Sequence, residues 1–132
     1  MLVYRLEITS FGPYSGWVPG DIRLSKTYQD FLYRHCNTKR YPGWYTDNIM
    51  KPNSNYNAAC PTEKKLLSWF GKRLLNFLAK HHNNCSQVIV YDVPETFVIT
   101  GTSKKQCAFD KTNAQIVNIY SVKQFLQKME KQ

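Results

Sequence analysis

The chain has 132 residues, of which 42% are hydrophobic and 20% are charged, a balance typical of a globular domain and not of a disordered chain. It carries 18 Lys and Arg residues against 9 Asp and Glu residues, so its formal net charge is +9. This excess predicts an anionic partner: nucleic acid, a nucleoprotein or an acidic protein surface. No segment has the ~18 consecutive apolar residues of a membrane span, and the first ten residues lack the apolar run of a signal peptide, so a cytoplasmic protein is expected.

The first predicted element is a strand over residues 2–9, whose side chains alternate between two faces. The larger apolar face is expected to meet the core. Arg5 then lies on the open surface, paired with Glu7, or it lines a cleft, where its forked guanidinium suits a phosphate. The sequence favours the open surface. One face consists of Leu2, Tyr4, Leu6 and Ile8, and the other of Val3, Arg5, Glu7 and Thr9.

Two helical patterns follow, separated by a long connection. The apolar spacing over residues 26–35, after the potential N-cap Ser25, predicts a short amphipathic helix. Residues 36–60 are expected to form an irregular loop. The clearest pattern is an amphipathic helix at 62–82, which Gly71 either splits into two helices or weakens by about 1 kcal/mol.

The remainder of the chain is predicted to be rich in strands. A nearly continuous apolar run at 87–93 is typical of a central strand. Ser121 and Gln124 have the spacing of a capping box, which predicts the start of a last helix. Further strands are expected within residues 96–101, 106–110 and 115–120.

This order of elements predicts an α+β fold. We expect a single compact domain over residues 1–132, built on a mixed or antiparallel sheet. It should contain the amphipathic helix or split helix pair at 62–82 and a short C-terminal helix. A long basic-aromatic loop is expected at about 36–60.

That loop is the first candidate for a binding surface, because residues 34–47 interleave cations with aromatic side chains. Aromatic planes stack on nucleobases and cations bind phosphates, so the composition suits single-stranded nucleic acid or a nucleotide. It suits a protein interface equally well, and it also fits a loop that merely covers the core. The basic face of the helix at 62–82 either follows a phosphate backbone or is a solvated face. The candidate binding residues are Arg34, Lys39, Arg40, Tyr41, Trp44 and Tyr45, with Lys72 and Arg73 as a second set.

Residues that could ligate a metal are scattered along the chain. No C-x-x-C pair is present, and only His82 and Cys85 have a plausible spacing. No metal site is therefore predicted, and the cysteines are expected to be reduced apolar side chains. The residues considered are Cys36, Cys60, Cys85, Cys107, His35, His81 and His82.

Conventional catalytic motifs are not found in the sequence. It has no Gly-rich phosphate loop, no G-x-S-x-G and no H-E-x-x-H, and its carboxylates are spread singly. The leading interpretation is therefore a non-catalytic binding protein without a cofactor.

The segment VYRLE at residues 3–7, the helical middle and the strand-rich region 88–119 together resemble the ADP-ribosyltransferase family. The resemblance implies that Arg5 holds the diphosphate of NAD and that Gln106, in KKQCAF, stands where the family has its catalytic glutamate. The family's Ser/Thr strand motif has a match only around Thr62. A glutamine donates hydrogen bonds but does not supply the negative charge that stabilises a developing cation at the anomeric carbon. The alternative function is thus an ADP-ribosyltransferase-like enzyme or a degenerate NAD-binding relative.

In size, in basic charge and in several short segments, the chain is also similar to small proteins of bacteria and their phages. The segments that carry this likeness are YRLE, FGPYSGW, LLSWF, VIVYDVP and QCAFD. It extends to anti-defence inhibitors of the anti-CRISPR kind. The likeness implies a phage-derived inhibitor that engages nucleic acid or a nucleoprotein.

Overall fold

Two small antiparallel sheets form the β part of the fold in the computed structural model, which describes residues 1–35 and 38–132. The strands are β1 (Leu2–Ile8), β2 (Tyr56–Ala59), β3 (Ser86–Asp92), β4 (Val98–Thr100), β5 (Cys107–Asp110) and β6 (Gln115–Ser121). The first sheet has the order β1-β3-β6 and the second has the order β2-β5-β4. The predicted strand at 87–93 therefore lies at the centre of its sheet, as expected.

The described residues also form five α-helices. They are α1 (Gly20–Arg23), α2 (Lys26–Arg34), α3 (Glu63–Phe70), α4 (Lys72–His81) and α5 (Val122–Glu130). None of these helices has the length and apolar character needed to cross a bilayer. The α+β class, the antiparallel sheets and the short C-terminal helix are confirmed.

Side chains that were predicted to begin helices do so. The Ser25 hydroxyl accepts a hydrogen bond from the backbone N–H of Tyr28 at the start of α2. At α5, Ser121 and Gln124 exchange both bonds of a capping box. Such caps satisfy backbone donors that the first helical turn leaves without a partner.

Gly71 splits the predicted helix at 62–82 into α3 and α4. Its backbone has φ 83° and ψ 152°, a conformation that side-chain-bearing residues rarely adopt. The split changes the direction of the chain, so that each helix presents its own apolar face to the core.

The main core lies between the first sheet and the helices. Leu6 and Ile8 of β1 pack there against apolar side chains of all the longer helices. Leu67 of α3 and Phe77 of α4 pack against this core but are only partly buried. The fully buried positions of α3 and α4 are Leu66, Leu74, Leu75 and Leu78.

A second core lies between the two sheets, and it covers the face of β1 that was expected to be open. Val3 packs there with Ile89 and Tyr91 of β3 and with Phe109 of β5. As a result Arg5 is only 8% exposed. The prediction of an open-surface Arg5 is wrong, because the second sheet approaches β1 from the side that the sequence left without a partner.

The loop predicted at about 36–60 is shorter than expected, since Tyr56–Ala59 forms β2. This segment, YNAA, lacks the β-branched residues that mark strands in a sequence. Its backbone pairs with β5 in antiparallel register, from Tyr56 opposite Asp110 to Ala59 opposite Cys107. Non-local hydrogen bonds thus create a strand that local composition does not indicate.

Replacement of Leu74 tests the helical core. Leu74 is fully buried, so Leu74→Ala should lower the free energy of unfolding by about 2–5 kcal/mol through lost apolar burial and a residual cavity. In the control variant, Lys72→Ala, the replaced side chain is exposed, so the free energy of unfolding should change by less than about 0.5 kcal/mol. Denaturant melts of both variants measure this difference, and equal stabilities would contradict the described packing.

Candidate ligand-binding cleft

A cleft of about 630 Å³ opens beside the junction of the two sheets. The junction is a pair of backbone hydrogen bonds between Tyr4 and Cys60, 2.9 and 2.8 Å long. Residues of β1 and β2 form its floor, and the segments 10–15 and 41–44 form its sides together with α3. Its volume lies within the range of about 300–1,000 Å³ typical of small-molecule sites.

Arg5 lies at the floor of the cleft and is held by two of its nitrogens. Nε donates to Glu7 Oε2 at 2.9 Å, and Nη1 donates to the backbone oxygen of Ala58 at 2.7 Å. The third nitrogen, Nη2, lies beside Gly12. It donates to no acceptor within residues 1–35 and 38–132, so this edge of the guanidinium can donate to a bound anion.

Glu7 balances only part of the positive charge at the floor. Its Oε2 accepts from Arg5 Nε, from the Tyr91 hydroxyl at 3.1 Å and from Lys111 Nζ at 3.3 Å. Arg5 and Lys111 line the cleft, whereas Glu7 is 5% exposed and does not. Two cations thus share one carboxylate, and the floor has a net positive charge.

One wall of the cleft is a stack of aromatic side chains. The rings of His35 and Tyr41 stack with centroids 3.9 Å apart, and Trp69 meets both rings edge-on. Trp69 Nε1 donates to the Tyr14 hydroxyl at 2.8 Å, and that hydroxyl lies 2.7 Å from His35 Nδ1. The Tyr14 hydroxyl accepts from Trp69 and keeps its own proton, so it can donate to His35 Nδ1 when the neutral imidazole carries its proton on Nε2.

His35 is therefore a neutral ring in this wall. Burial, followed by the positive charges of Arg34 and Arg40, lowers the pKa of His35 from 6.5 to about 4. A neutral imidazole stacks with Tyr41 as an ordinary flat aromatic ring.

Gln106 lines the cleft from the position immediately before β5. Its Nε2 donates to the backbone oxygen of Pro42 at 2.7 Å and to Asp47 Oδ2 at 3.1 Å. The side chain thus ties the segment 41–44 to the second sheet. Gln106 and Arg5 line one cleft, but the Gln106 amide nitrogen is engaged in holding that segment.

The predicted basic-aromatic residues divide into two groups. Tyr41 and Trp44 line the cleft, whereas Arg34, Lys39, Arg40 and Tyr45 are exposed around it or beyond it. Tyr45 is 90% exposed. Lys72 and Arg73 do not line the cleft, and Arg73 pairs with Asp30 of α2 at 3.2 Å.

Trp44 packs into the protein and is not a free anchor on a loop. It contacts the small core of Ile49, Tyr56 and Ala108, and Lys51 Nζ lies 5.9 Å from its ring centroid. One part of its surface lines the cleft. Trp44 therefore serves packing and cleft shape together.

Among the cleft residues that were not predicted as site residues are Tyr14, Trp69 and Lys111. Tyr14 and Trp69 belong to sequence segments that look like a loop and a core helix face. Thr62, the weak match to the Ser/Thr motif, does not line the cleft; its hydroxyl caps α3 by accepting from the Lys65 N–H. The one sequence signal that could have indicated Tyr14 was the high aromatic content of the segment FGPYSGW at residues 11–17.

The potential metal ligands were also compared in space. Within the described ranges, no three side chains of His, Cys, Asp and Glu form a cluster that could hold a metal ion. Cys36 lies outside the described residues. Burial raises the pKa of the Cys60 thiol and raises that of Cys107 to about 12, so both are neutral thiols near neutral pH.

Comparison with known proteins identifies a family. The family model of the bacteriophage T4 Y00F protein matches residues 1–123. The chain belongs to this family. A phage origin, which the general likeness implied, is thereby supported, and no curated protein and no solved structure matches the chain.

The depressed pKa of His35 predicts a pH-dependent stability. The unfolded chain binds a proton on this side chain below about pH 6.5, whereas the folded chain does so only near pH 4, so stability should fall as the pH is lowered between these values. In the variant His35→Gln, the loss of stability that comes from protonation of His35 should be absent. Denaturant midpoints measured across this range test it; parallel pH profiles would contradict the neutral-ring arrangement.

Proposed function

We propose that the protein binds a phosphorylated nucleoside in this cleft, either as a free nucleotide or as one residue of a single-stranded nucleic acid. The observation that carries the proposal is the Nη2 edge of Arg5. It faces a cleft lined by aromatic side chains, and no carboxylate lines that cleft in the described parts of the chain. A ligand that fits has an anionic group and a flat ring.

The aromatic wall supports the ring part of this ligand. His35, Tyr41 and Trp69 are fixed by mutual contacts and by the hydrogen bond of Trp69 to Tyr14. Base–aromatic stacking contributes about 1–3 kcal/mol per base. Because the wall is already ordered, little side-chain entropy is lost on binding.

The charge around the cleft supports the nucleic-acid form of the ligand. Arg34, Lys39 and Arg40 are exposed, and no ion pair in the described chain involves them. They remain available for further phosphates. Docking on an acidic protein surface through the same cations is a competing proposal, and an anti-defence role is compatible with either kind of partner.

The proposal concerns binding and not transfer, because Gln106 supplies no negative charge at the cleft. The engagement of its amide nitrogen with Pro42 and Asp47 supports a structural task. A dissociative transfer from a nucleotide would need a carboxylate or an equivalent group near the reacting carbon.

A pair of glycine variants tests the proposal. A methyl group added at Gly12 would lie 3.0 Å from Arg5 Nη2, so Gly12→Ala obstructs the donating edge without removing the charge. The loss of one charge-assisted hydrogen bond, about 1.4 kcal/mol, should weaken the binding of AMP about tenfold. Calorimetric titration of AMP measures this effect.

The matched control is Gly16→Ala, because a methyl group at Gly16 meets nothing within 4 Å. It should both bind AMP and melt as the wild type does. No binding of AMP or of a short single-stranded oligonucleotide by the wild type would contradict the proposal. Equal affinity of the two glycine variants would remove Arg5 from the site.

The ADP-ribosyltransferase-like alternative is favoured by one observation: Arg5 and Gln106, the two residues that the resemblance singles out, line the same cleft. Its test uses isotope-labelled NAD with protein and nucleic-acid acceptors. If the alternative holds, the wild type or Gln106→Glu transfers label, and Arg5→Ala does not. Absence of both transfer and NAD binding in all three proteins would contradict it.

A further inference from the structure

A second, smaller pocket lies against the aromatic wall of the cleft. It has a volume of about 80 Å³. Its lining consists of Arg40, Tyr41, Lys65, Ser68, Trp69 and Lys105. Half of these residues are cations from three separate parts of the chain, and no acidic residue is among them.

We infer that this pocket binds a phosphate group, and that the phosphate belongs to the nucleotide next to the one in the cleft. The inference rests on the proposed function and makes it more specific. It assigns a single-stranded nucleic acid, and not a free mononucleotide, as the ligand.

The charge of the pocket supports an anion. Lys105 Nζ donates to the backbone oxygen of Arg40 at 3.0 Å, which holds the ammonium group against the segment 38–44. No salt bridge within the described residues involves Arg40, Lys65 or Lys105. Three cations that share a small pocket repel one another, and a bound phosphate would relieve that repulsion.

The donors of the pocket also suit a phosphate. An ammonium group has three N–H donors, so Lys105 retains donors beyond the bond to Arg40, and a guanidinium presents a fork that fits phosphate oxygens. The Ser68 hydroxyl adds a neutral donor on α3. The Arg40 guanidinium also lies 5.4 Å from the Tyr41 ring centroid, which restrains it near the pocket.

The position of the pocket supports a strand. Tyr41 and Trp69 line both the pocket and the cleft, and their rings meet edge-on with centroids 5.4 Å apart. The two spaces are therefore separated by a wall of these two side chains. A nucleotide stacked in the cleft would direct its neighbouring phosphate over this wall, toward the three cations.

Inorganic phosphate tests the pocket alone. In an NMR titration of the folded protein, phosphate should shift the backbone amide signals of Lys65 and Ser68 in the wild type. The shifts should be much smaller in the double variant Lys65→Gln/Lys105→Gln. Equal shifts in both proteins, or none in either, would overturn the phosphate site.

Nucleotides test the assignment of a strand. The double variant should bind AMP within twofold of the wild type, because the cleft is intact. Its affinity for a single-stranded oligonucleotide of about eight residues should fall at least tenfold, and the slope of log affinity against log salt should become shallower by about 0.7 for the lost phosphate contact. The matched charge control is Lys80→Gln/Lys123→Gln, at two positions outside the pocket.

The outcomes separate this inference from the proposed function. If AMP binds but the oligonucleotide binds equally well to both double variants, the inference is overturned and the cleft proposal stands. If phosphate shifts the wild-type signals but no nucleotide binds, the phosphate site is supported and the cleft proposal is contradicted. Displacement of the oligonucleotide by polyglutamate at equal affinity would overturn the nucleic-acid assignment in favour of an acidic protein partner.

Discussion

The contact between β1 and the end of β2 is the constraint on which the rest of the structure depends. Two backbone hydrogen bonds between Tyr4 and Cys60 join the two sheets, and Arg5 adds a third link to the backbone oxygen of Ala58. The second core contains residues of both sheets, and residues of β1 and β2 at the junction also line the cleft. The same contact that unites the sheets therefore positions the cation at the floor of the cleft.

Burial of Arg5 and Glu7 at this junction is costly, and the local bonding offsets much of that cost. Both side chains are less than one-tenth exposed. A buried ion pair is tolerated only where further hydrogen bonds satisfy its polar atoms. Tyr91 and Lys111 supply them to Glu7, while Ala58 supplies one to Arg5. Nη2 of Arg5 is left without a hydrogen-bond partner in the described chain. Low polarity around this nitrogen strengthens any charge-assisted hydrogen bond that it makes.

The segment 38–55 is ordered by contacts with the β4–β5 turn. Asp47, which is 2% exposed, accepts bonds from the Ser103 N–H, the Ser103 hydroxyl and Gln106. Gly101 permits this approach, because a side chain there would place its first carbon 2.1 Å from the Asp47 carboxylate. These contacts present Tyr41 and Trp44 to the cleft. A buried carboxylate thus ties a long loop without helix or strand to the turn between β4 and β5.

The sequence by itself determined the elements whose physics is local. Apolar periodicity and caps specified α2, the helical region 62–82 and α5, and continuous apolar composition specified β3, because these signals depend on neighbouring residues only. The basic excess and the interleaved aromatic residues also indicate segment 34–47 as a binding surface from composition alone. No local sequence signal links Arg5 with Gln106. Only the resemblance to ADP-ribosyltransferases singles out both residues.

Tertiary structure decided the rest. β2 forms because it pairs with β5. Arg5 is buried because the second sheet covers the face of β1 that the alternation of side chains left without a partner. Trp69, whose helical position indicates only a core residue, forms part of the cleft wall with Tyr14 and His35. The two pockets bring together residues that are more than 60 positions apart, such as Arg40 and Lys105. A sequence pattern records what each residue prefers locally, whereas a binding site is a set of distances between remote residues, and only the packing of the sheets and helices fixes those distances.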